Sequence, residues 1–388
     1  MSRLTMRNLS ALPRGISAVL LALLLAACST GPGGSATAGS AAVGTAAGGP
    51  SAWTEVSTAA ALAGVSLLDV AAVSGGFVAV GNSPEADAAQ FGGAFTSSDG
   101  TTWAAAPTGP FKDATTNVVG STTNGLLALG SACSVECFGF KSWVSTDGAA
   151  WTGPASPPGD ESRPTGFAQH GLTIVAISSE LADPANNLYK GYVYLSNEGT
   201  IWASAAQGGT FDNTGFAAIA AGDTGFAVVG AKTQQTGTRD GAAWTSNDGQ
   251  AWAPATDDGS FKGATLASVV HGADGFLAVG SIASDGAVWT STDGKSWARV
   301  DGGAFKGSPL ADVATSTSGT GYVAIGRDAS GAAAWLSSDG KSWHSAGALP
   351  GADASKVIAV AIGKANSVIV GQPVGAAASG LVWVGPLP

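Results

Sequence analysis

Ser97-Ser98-Asp99-Gly100-Thr101-Thr102-Trp103 reads as a tight turn between two strands. An aspartate side chain accepts backbone N–H bonds from the residues just after it, and glycine takes a positive φ without steric cost. The serine then ends one antiparallel strand and the tryptophan belongs to the next, with its ring turned into a core. The same Ser-x-Asp-Gly-x-x-Trp pattern returns at Ser145–Trp151, Ser246–Trp252, Ser291–Trp297 and Ser337–Trp343, and at Ser196–Trp202 with Glu198 in place of aspartate. Its tryptophans recur 45 to 51 residues apart, a period that belongs to propellers and solenoids. Asp99, Asp147, Glu198, Asp248, Asp293 and Asp339 are therefore expected to build turns rather than to catalyse.

A second pattern precedes each turn: a short apolar run bounded by glycine. Gly76–Gly81, Gly125–Gly130, Gly225–Gly230, Gly275–Gly280 and Gly321–Gly326 carry it, with weaker copies at Gly171–Ala176 and Asn366–Gly371. Continuous apolar runs of this length fit strands buried on both faces. Another apolar strand precedes each run. A strand with an aromatic ahead of its end follows each one: Phe95, Trp143, Tyr194, Trp244, Trp289, Trp335 and Trp383. Seven units of four antiparallel strands make an all-β fold, a seven-bladed β-propeller. The last unit has only three strands (Lys356–Ala361, Ser367–Gly371 and Gly380–Val384), while an orphan strand around Trp53 precedes the first unit. The N-terminal strand is expected to complete the C-terminal blade, closing the ring and removing two open edges. The outer-strand tryptophans are then Trp53, Trp103, Trp151, Trp202, Trp252, Trp297 and Trp343. With the five on third strands they account for all twelve, so none is left over for stacking on a ligand.

The turn pattern resembles a shortened Asp-box, the bacterial neuraminidase repeat of sialidase-like propellers, with one residue fewer between the aspartate and the aromatic. Through the repeat the resemblance covers residues 52–385. It implies the propeller fold and leaves activity open, because such turns occur in propellers of many activities. A sialidase would also carry an arginine triad, a Tyr–Glu nucleophile pair, an acid/base aspartate and an Arg-Ile-Pro motif. That motif is absent, and past residue 27 only Arg163, Arg239, Arg299 and Arg327 remain. Tyr189, Tyr192 and Tyr194 share one strand, and no catalytic residue carries over.

The composition, 45% hydrophobic with 58 glycines and two methionines, suits a large core of strands rather than helices. The formal charge is −10. Residues 1–27 hold Arg3, Arg7 and Arg14 and no acid, so the remainder sets 14 basic against 27 acidic residues, or −13. That balance argues against nucleic acid, whose phosphates need clustered Lys and Arg. The basic head and the apolar run Ile16–Ala27 read as a secretory signal, too short to span a bilayer. Leu25-Ala26-Ala27-Cys28 resembles the lipobox of bacterial lipoproteins. The resemblance implies acylation of Cys28 and an exported chain held on the membrane by lipid. Residues 28–51, dominated by Gly, Ala, Ser and Thr, read as a flexible tether, and 52–388 as the propeller. Past the tether only Cys133 and Cys137 remain, and in an exported chain they are expected to form a disulfide. Two cysteines without a nearby histidine make a poor metal site, so no metal and no cofactor is expected.

Successive antiparallel connections alternate between the two faces of the disc. One face collects the Asp-Gly turns and other short links. The second collects the long, variable segments 82–92, 131–139, 178–190 and 231–240, and is the candidate binding surface. Its acids, Glu85, Asp87, Asp160, Glu161, Glu180, Asp183, Asp257 and Asp258, read as solvated loop charge, although a pair of them could serve a glycosidase. Phe111, Phe211, Phe261 and Phe305, each in Gly-x-Phe, read as packing between blades. The expected function is an exported, lipid-anchored, monomeric binding or assembly module without catalysis, with a protein or glycan ligand on the long-loop face. The rival is a glycan-active hydrolase, which would need perturbed titratable groups converging at the central axis.

Overall fold

The computed structural model describes residues 52–388 except 57–59, 85–89, 134–136, 158–161, 206–208, 235–236, 301, 353–354 and 374–379. The expected signal segment, Cys28 and tether lie outside the described residues, as do Glu85, Asp87, Asp160 and Glu161.

Seven antiparallel blades of four strands surround one axis. From the axis outward, blade 1 is Ser66–Val73, Gly76–Pro84, Gln90–Ser97 and Ala104–Ala105. Blade 2 is Ala114–Thr122, Gly125–Cys133, Cys137–Ser145 and Thr152–Ala155. Blade 3 is Arg163–His170, Thr173–Asp183, Leu188–Ser196 and Ala203–Ser204. Blades 4, 5 and 6 repeat the order from Thr214–Gly222, Ala264–Gly272 and Leu310–Thr315. Blade 7 has Ser355–Ile362, Ser367–Pro373 and Leu381–Gly385, and its outermost place is taken by Thr54–Val56. That strand pairs antiparallel with the C-terminal one, Thr54 opposite Val384 and Val56 opposite Val382. Among the described residues the only helices are four single 3-10 turns, and none is long and apolar enough to cross a membrane.

Every innermost strand carries one register shift near its start: Leu67/Asp69, Thr116/Val118, Pro164/Gly166, Phe216/Ala218, Leu266/Ser268, Leu310/Asp312 and Val357/Ala359. A bulge bends and twists a strand, and seven of them at equivalent places let the inner strands wrap a narrow axis.

The core lies between blades rather than within them. Val78, Val80 and Ala94 of blade 1 pack with Ala114, Val119, Trp143 and Trp151 of blade 2, and Phe111 of the link between them joins the same cluster. The Phe111 ring meets Trp143 at 5.4 Å and Trp151 at 5.8 Å. Phe211 and Phe305 meet the tryptophans of blades 4 and 6 in the same way. The glycine of each turn seals a seam as well. Gly100 takes φ +79°, and a Cβ there would lie 2.6 Å from Val368 Cγ2 of blade 7. Blade 1 thus leans on blade 7 as Gly148 of blade 2 leans on Val78 and Thr96 of blade 1.

Candidate functional site

The repeated turns are self-contained. Asp99 Oδ1 accepts the N–H groups of Thr101 (2.8 Å) and Thr102 (3.0 Å), Ser97 Oγ accepts that of Gly100 (2.8 Å), and the Trp103 indole donates to Gly100 O (2.9 Å). Asp147, Asp248, Asp293 and Asp339 repeat the arrangement. Backbone hydrogen bonds hold all five carboxylates below the ordinary aspartate range; for Asp99 the largest cause is the Thr102 N–H. A carboxylate held that firmly ionised is a poor general acid. Blade 3 departs from the pattern. Gly199 still donates to Ser196 Oγ and Trp202 to Gly199 O, but the longer Glu198 side chain caps neither Thr200 nor Ile201.

The loop-face acids within the described residues are likewise committed. Asp183 accepts from Ala185, Asn186 and the Asn186 amide; Asp257 from Phe261; Asp258 from Ser260 and Arg299. The Asn186 amide first of all holds Asp183 low, and Ser260 holds Asp258 low. His170 and His271 pack edge-on against Phe226 and Phe276. Among the described residues no group of three His, Cys, Asp or Glu could hold a metal ion.

Sequence reasoning passed over two aspartates at the axis. The seven inner strands enclose a channel of about 440 Å³ lined largely by Val, Ala, Gly and Ile, with Asp69, Ser268 and Asp312 among its polar groups. Asp69 of blade 1 accepts the N–H of Val70 and, across the seam, that of Val119 in blade 2, each at 2.8 Å. Asp312 of blade 6 accepts the N–H of Val360 in blade 7 at 2.9 Å, and Ser268 of blade 5 bonds to it as well. Both aspartates are half-buried, and the apolar channel walls displace part of the water around each carboxyl. That desolvation pushes Asp69 up to about 7, with the Asp312 charge adding to it, and Asp312 up to about 6. The signal in the sequence was an aspartate inside an otherwise apolar inner strand at the same blade position twice, in Leu68-Asp69-Val70 and Ala311-Asp312-Val313.

The long-loop face holds a different kind of site. Blade 3 has the longest second strand, Thr173–Asp183, and its hairpin stands beside the hairpin of blade 2. Between them lies a cleft of about 480 Å³ lined by Phe138, Arg163, Ser179, Glu180, Leu181, Pro184 and Tyr189. Phe138 and Leu181 are large apolar side chains left 46% and 42% exposed. Cys133 and Cys137, bonded at 2.07 Å, pin the tip of the blade 2 hairpin, and the Cys137 carbonyl accepts Arg163 Nε at 3.0 Å. The Arg163 guanidinium lies 4.9 Å over the Phe138 ring, and that of Arg239, from blade 4, lies 5.3 Å over Tyr189. Lys190 Nζ sits 5.2 Å over Tyr192, whose hydroxyl donates to Glu180 at 2.5 Å. Two of the four arginines past residue 27 thus gather on one side of an acidic protein.

No protein-family model and no curated protein sequence matches the chain. Solved structures do. YCF48 bound to a D1 peptide aligns at TM-score 0.56 and 15% identity, over 87% of this chain and 98% of that one. Penicillium chrysogenum α-L-arabinanase aligns at 0.47 and 13%, over 71% and 94%, and Trypanosoma rangeli sialidase at 0.48 and 13%, over 83% and 55%. At these identities the likeness is one of fold.

Proposed function

We propose that this chain is an exported, lipid-anchored propeller that binds a segment of another protein on its long-loop face and catalyses no reaction. The observation that carries the reading is the cleft between blades 2 and 3, where exposed apolar side chains and stacked cations stand together on a rigid scaffold. YCF48, a propeller of like fold, is bound to a peptide, which agrees with this use of the architecture. The lipobox resemblance at Cys28 supplies the anchor. Thr54–Val56 runs antiparallel to Leu381–Gly385, so Ala52 enters on the face of the Asp-Gly turns.

The hydrolase reading draws on Asp69 and Asp312, the two raised carboxyls at the axis. Both oxygens of Asp69 are taken by backbone N–H groups, and Asp312 is bonded by Val360 and Ser268. The two residues serve as seam bonds in an otherwise apolar channel. Cross-linking of the full anchored chain followed by affinity capture is expected to recover a protein partner that Leu181→Asp loses, while Cys28→Ala moves the chain and its partner together into the soluble fraction. Glycan turnover abolished by Asp312→Asn would replace this reading with the hydrolase.

A further inference from the structure

We infer that the cleft takes an extended peptide segment in which an apolar side chain is flanked by acidic ones: the apolar residue seats on Phe138 and Leu181, and Arg163 and Arg239 take the carboxylates. The inference rests on the protein-binding reading above and adds the chemistry of the ligand. Charge is the first argument. Past residue 27 the chain carries 14 basic against 27 acidic residues, yet Arg163 lines the cleft, Arg239 stacks on Tyr189 of its wall, and Lys190 lies over the neighbouring Tyr192. Among the described residues no carboxylate lies within ion-pair distance of any of the three, the single ion pair being Lys341–Asp274 on the surface. The nearby acids accept from neutral donors instead: Glu180 from Tyr192, Asp183 from Asn186, and Asp240 from the Gly263 N–H.

Pre-organisation is the second argument. Each guanidinium sits over a ring, and Arg163 is also tied through Nε to the Cys137 carbonyl beside the disulfide. A stacked guanidinium keeps its terminal nitrogens as a planar fork, which matches a carboxylate and loses little freedom on binding it. The cations also cover one face of Phe138 and of Tyr189, the rings a sugar would need bare for stacking. That favours a peptide over a glycan.

The test is selection of a random displayed peptide library against the full chain, with binding of the selected peptides then measured by fluorescence polarisation. Enrichment of Asp or Glu on both sides of Leu, Ile or Phe is expected. Binding should weaken about tenfold in Arg163→Gln and again in Arg239→Gln. It should also weaken steadily in the unaltered protein as salt rises from about 0.05 to about 0.5 M, a readout that needs no variant. Arg163→Lys, which keeps the charge without the fork, should fall between. Enriched peptides that bind the cleft without acids, or acidic peptides indifferent to both arginines and to salt, would overturn the inference and leave the protein-binding reading standing. Binding of polygalacturonate at this cleft with no peptide enriched, or selected peptides indifferent to Leu181→Asp, would overturn both.

Discussion

Asp99 and Asp69 belong to one blade, and each carboxylate accepts two backbone N–H bonds: Thr101 and Thr102 for Asp99, Val70 and Val119 for Asp69, all at 2.8 to 3.0 Å. Their proton affinities nevertheless move in opposite directions. Asp99 sits on an exposed turn, where water already solvates the charge and the N–H groups add to that, so it is held low. Asp69 faces a narrow apolar channel, where its two N–H bonds, without the Ser97 and Thr101 hydroxyls that Asp99 also accepts, fail to replace the lost water, and it rises to about 7. Hydrogen bonding fixes the geometry in both places, and the balance between those bonds and the water lost decides the charge. The two also differ in reach. Asp99 ties residues within one turn, whereas Asp69 ties blade 1 to blade 2, as Asp312 ties blade 6 to blade 7.

The largest effect expected from breaking this pair is at the axis. Asp69→Ala leaves the Val70 and Val119 N–H groups unpaired inside the channel, at about 1–3 kcal/mol for a stranded buried donor. A loss of roughly 2–4 kcal/mol in denaturant unfolding is expected, with hydrogen exchange accelerated first at Val119. Unchanged exchange at Val119 would show that Asp69 contributes nothing to the seam. Asp69→Asn should fall between, because its amide nitrogen cannot accept the second N–H.

That these two aspartates escaped sequence reasoning while the turns did not has a physical cause. The Asp-Gly turn is local: its acceptors, donors, positive-φ glycine and tryptophan lie within seven residues, so the pattern can be read off one stretch of chain. The pairing of Thr54–Val56 with the C-terminal strand is also legible, because a missing fourth strand at one end and a spare one at the other show in order along the chain. Asp69 instead bonds a residue 50 positions away, and its importance depends on where the blade seams fall. The loop-face cleft is similar. Arg163, Tyr189 and Arg239 are each conspicuous in the sequence, but they meet only because the blade 3 hairpin is long and three blades turn their hairpins to one face.

The pH dependence of stability sharpens the comparison, with opposite slopes from the two sets. For Asp69 and Asp312 the folded state binds protons more tightly than the unfolded chain, whose carboxyls titrate near 3.8. Their contribution is complete below that pH and is lost as pH rises through about 6 and 7. The turn aspartates are held low in the folded state. Their contribution is present above about pH 4 and is lost as pH falls further. Maximal stability is therefore expected near pH 4. Thermal melts should decline from there to about pH 7 and level off above it, and Asp69→Asn should flatten that limb while leaving the acid limb alone. A flat profile from pH 4 to 8 in the unaltered protein would mean that channel water solvates both carboxyls.

The smallest effect, opposite in sign, lies in blade 3, where the repeat is broken. Glu198 carries one more methylene than its five counterparts, and no hydrogen bond joins its carboxylate to the N–H groups of Thr200 and Ile201. Glu198→Asp restores the length that caps the equivalent groups at Asp248, namely Gln250 at 2.8 Å and Ala251 at 3.0 Å. A capping aspartate is worth about 0.5–2 kcal/mol, and an exposed turn belongs at the low end. The variant is therefore expected to gain roughly 0.5–1 kcal/mol, raising the melting temperature by about 1–3 °C. Asp248→Glu should lose a similar amount. Equal and opposite changes would establish that side-chain length alone sets the cap. If Asp248→Glu were neutral, the serine and the tryptophan indole, which blade 3 retains, would be the bonds that hold all six turns.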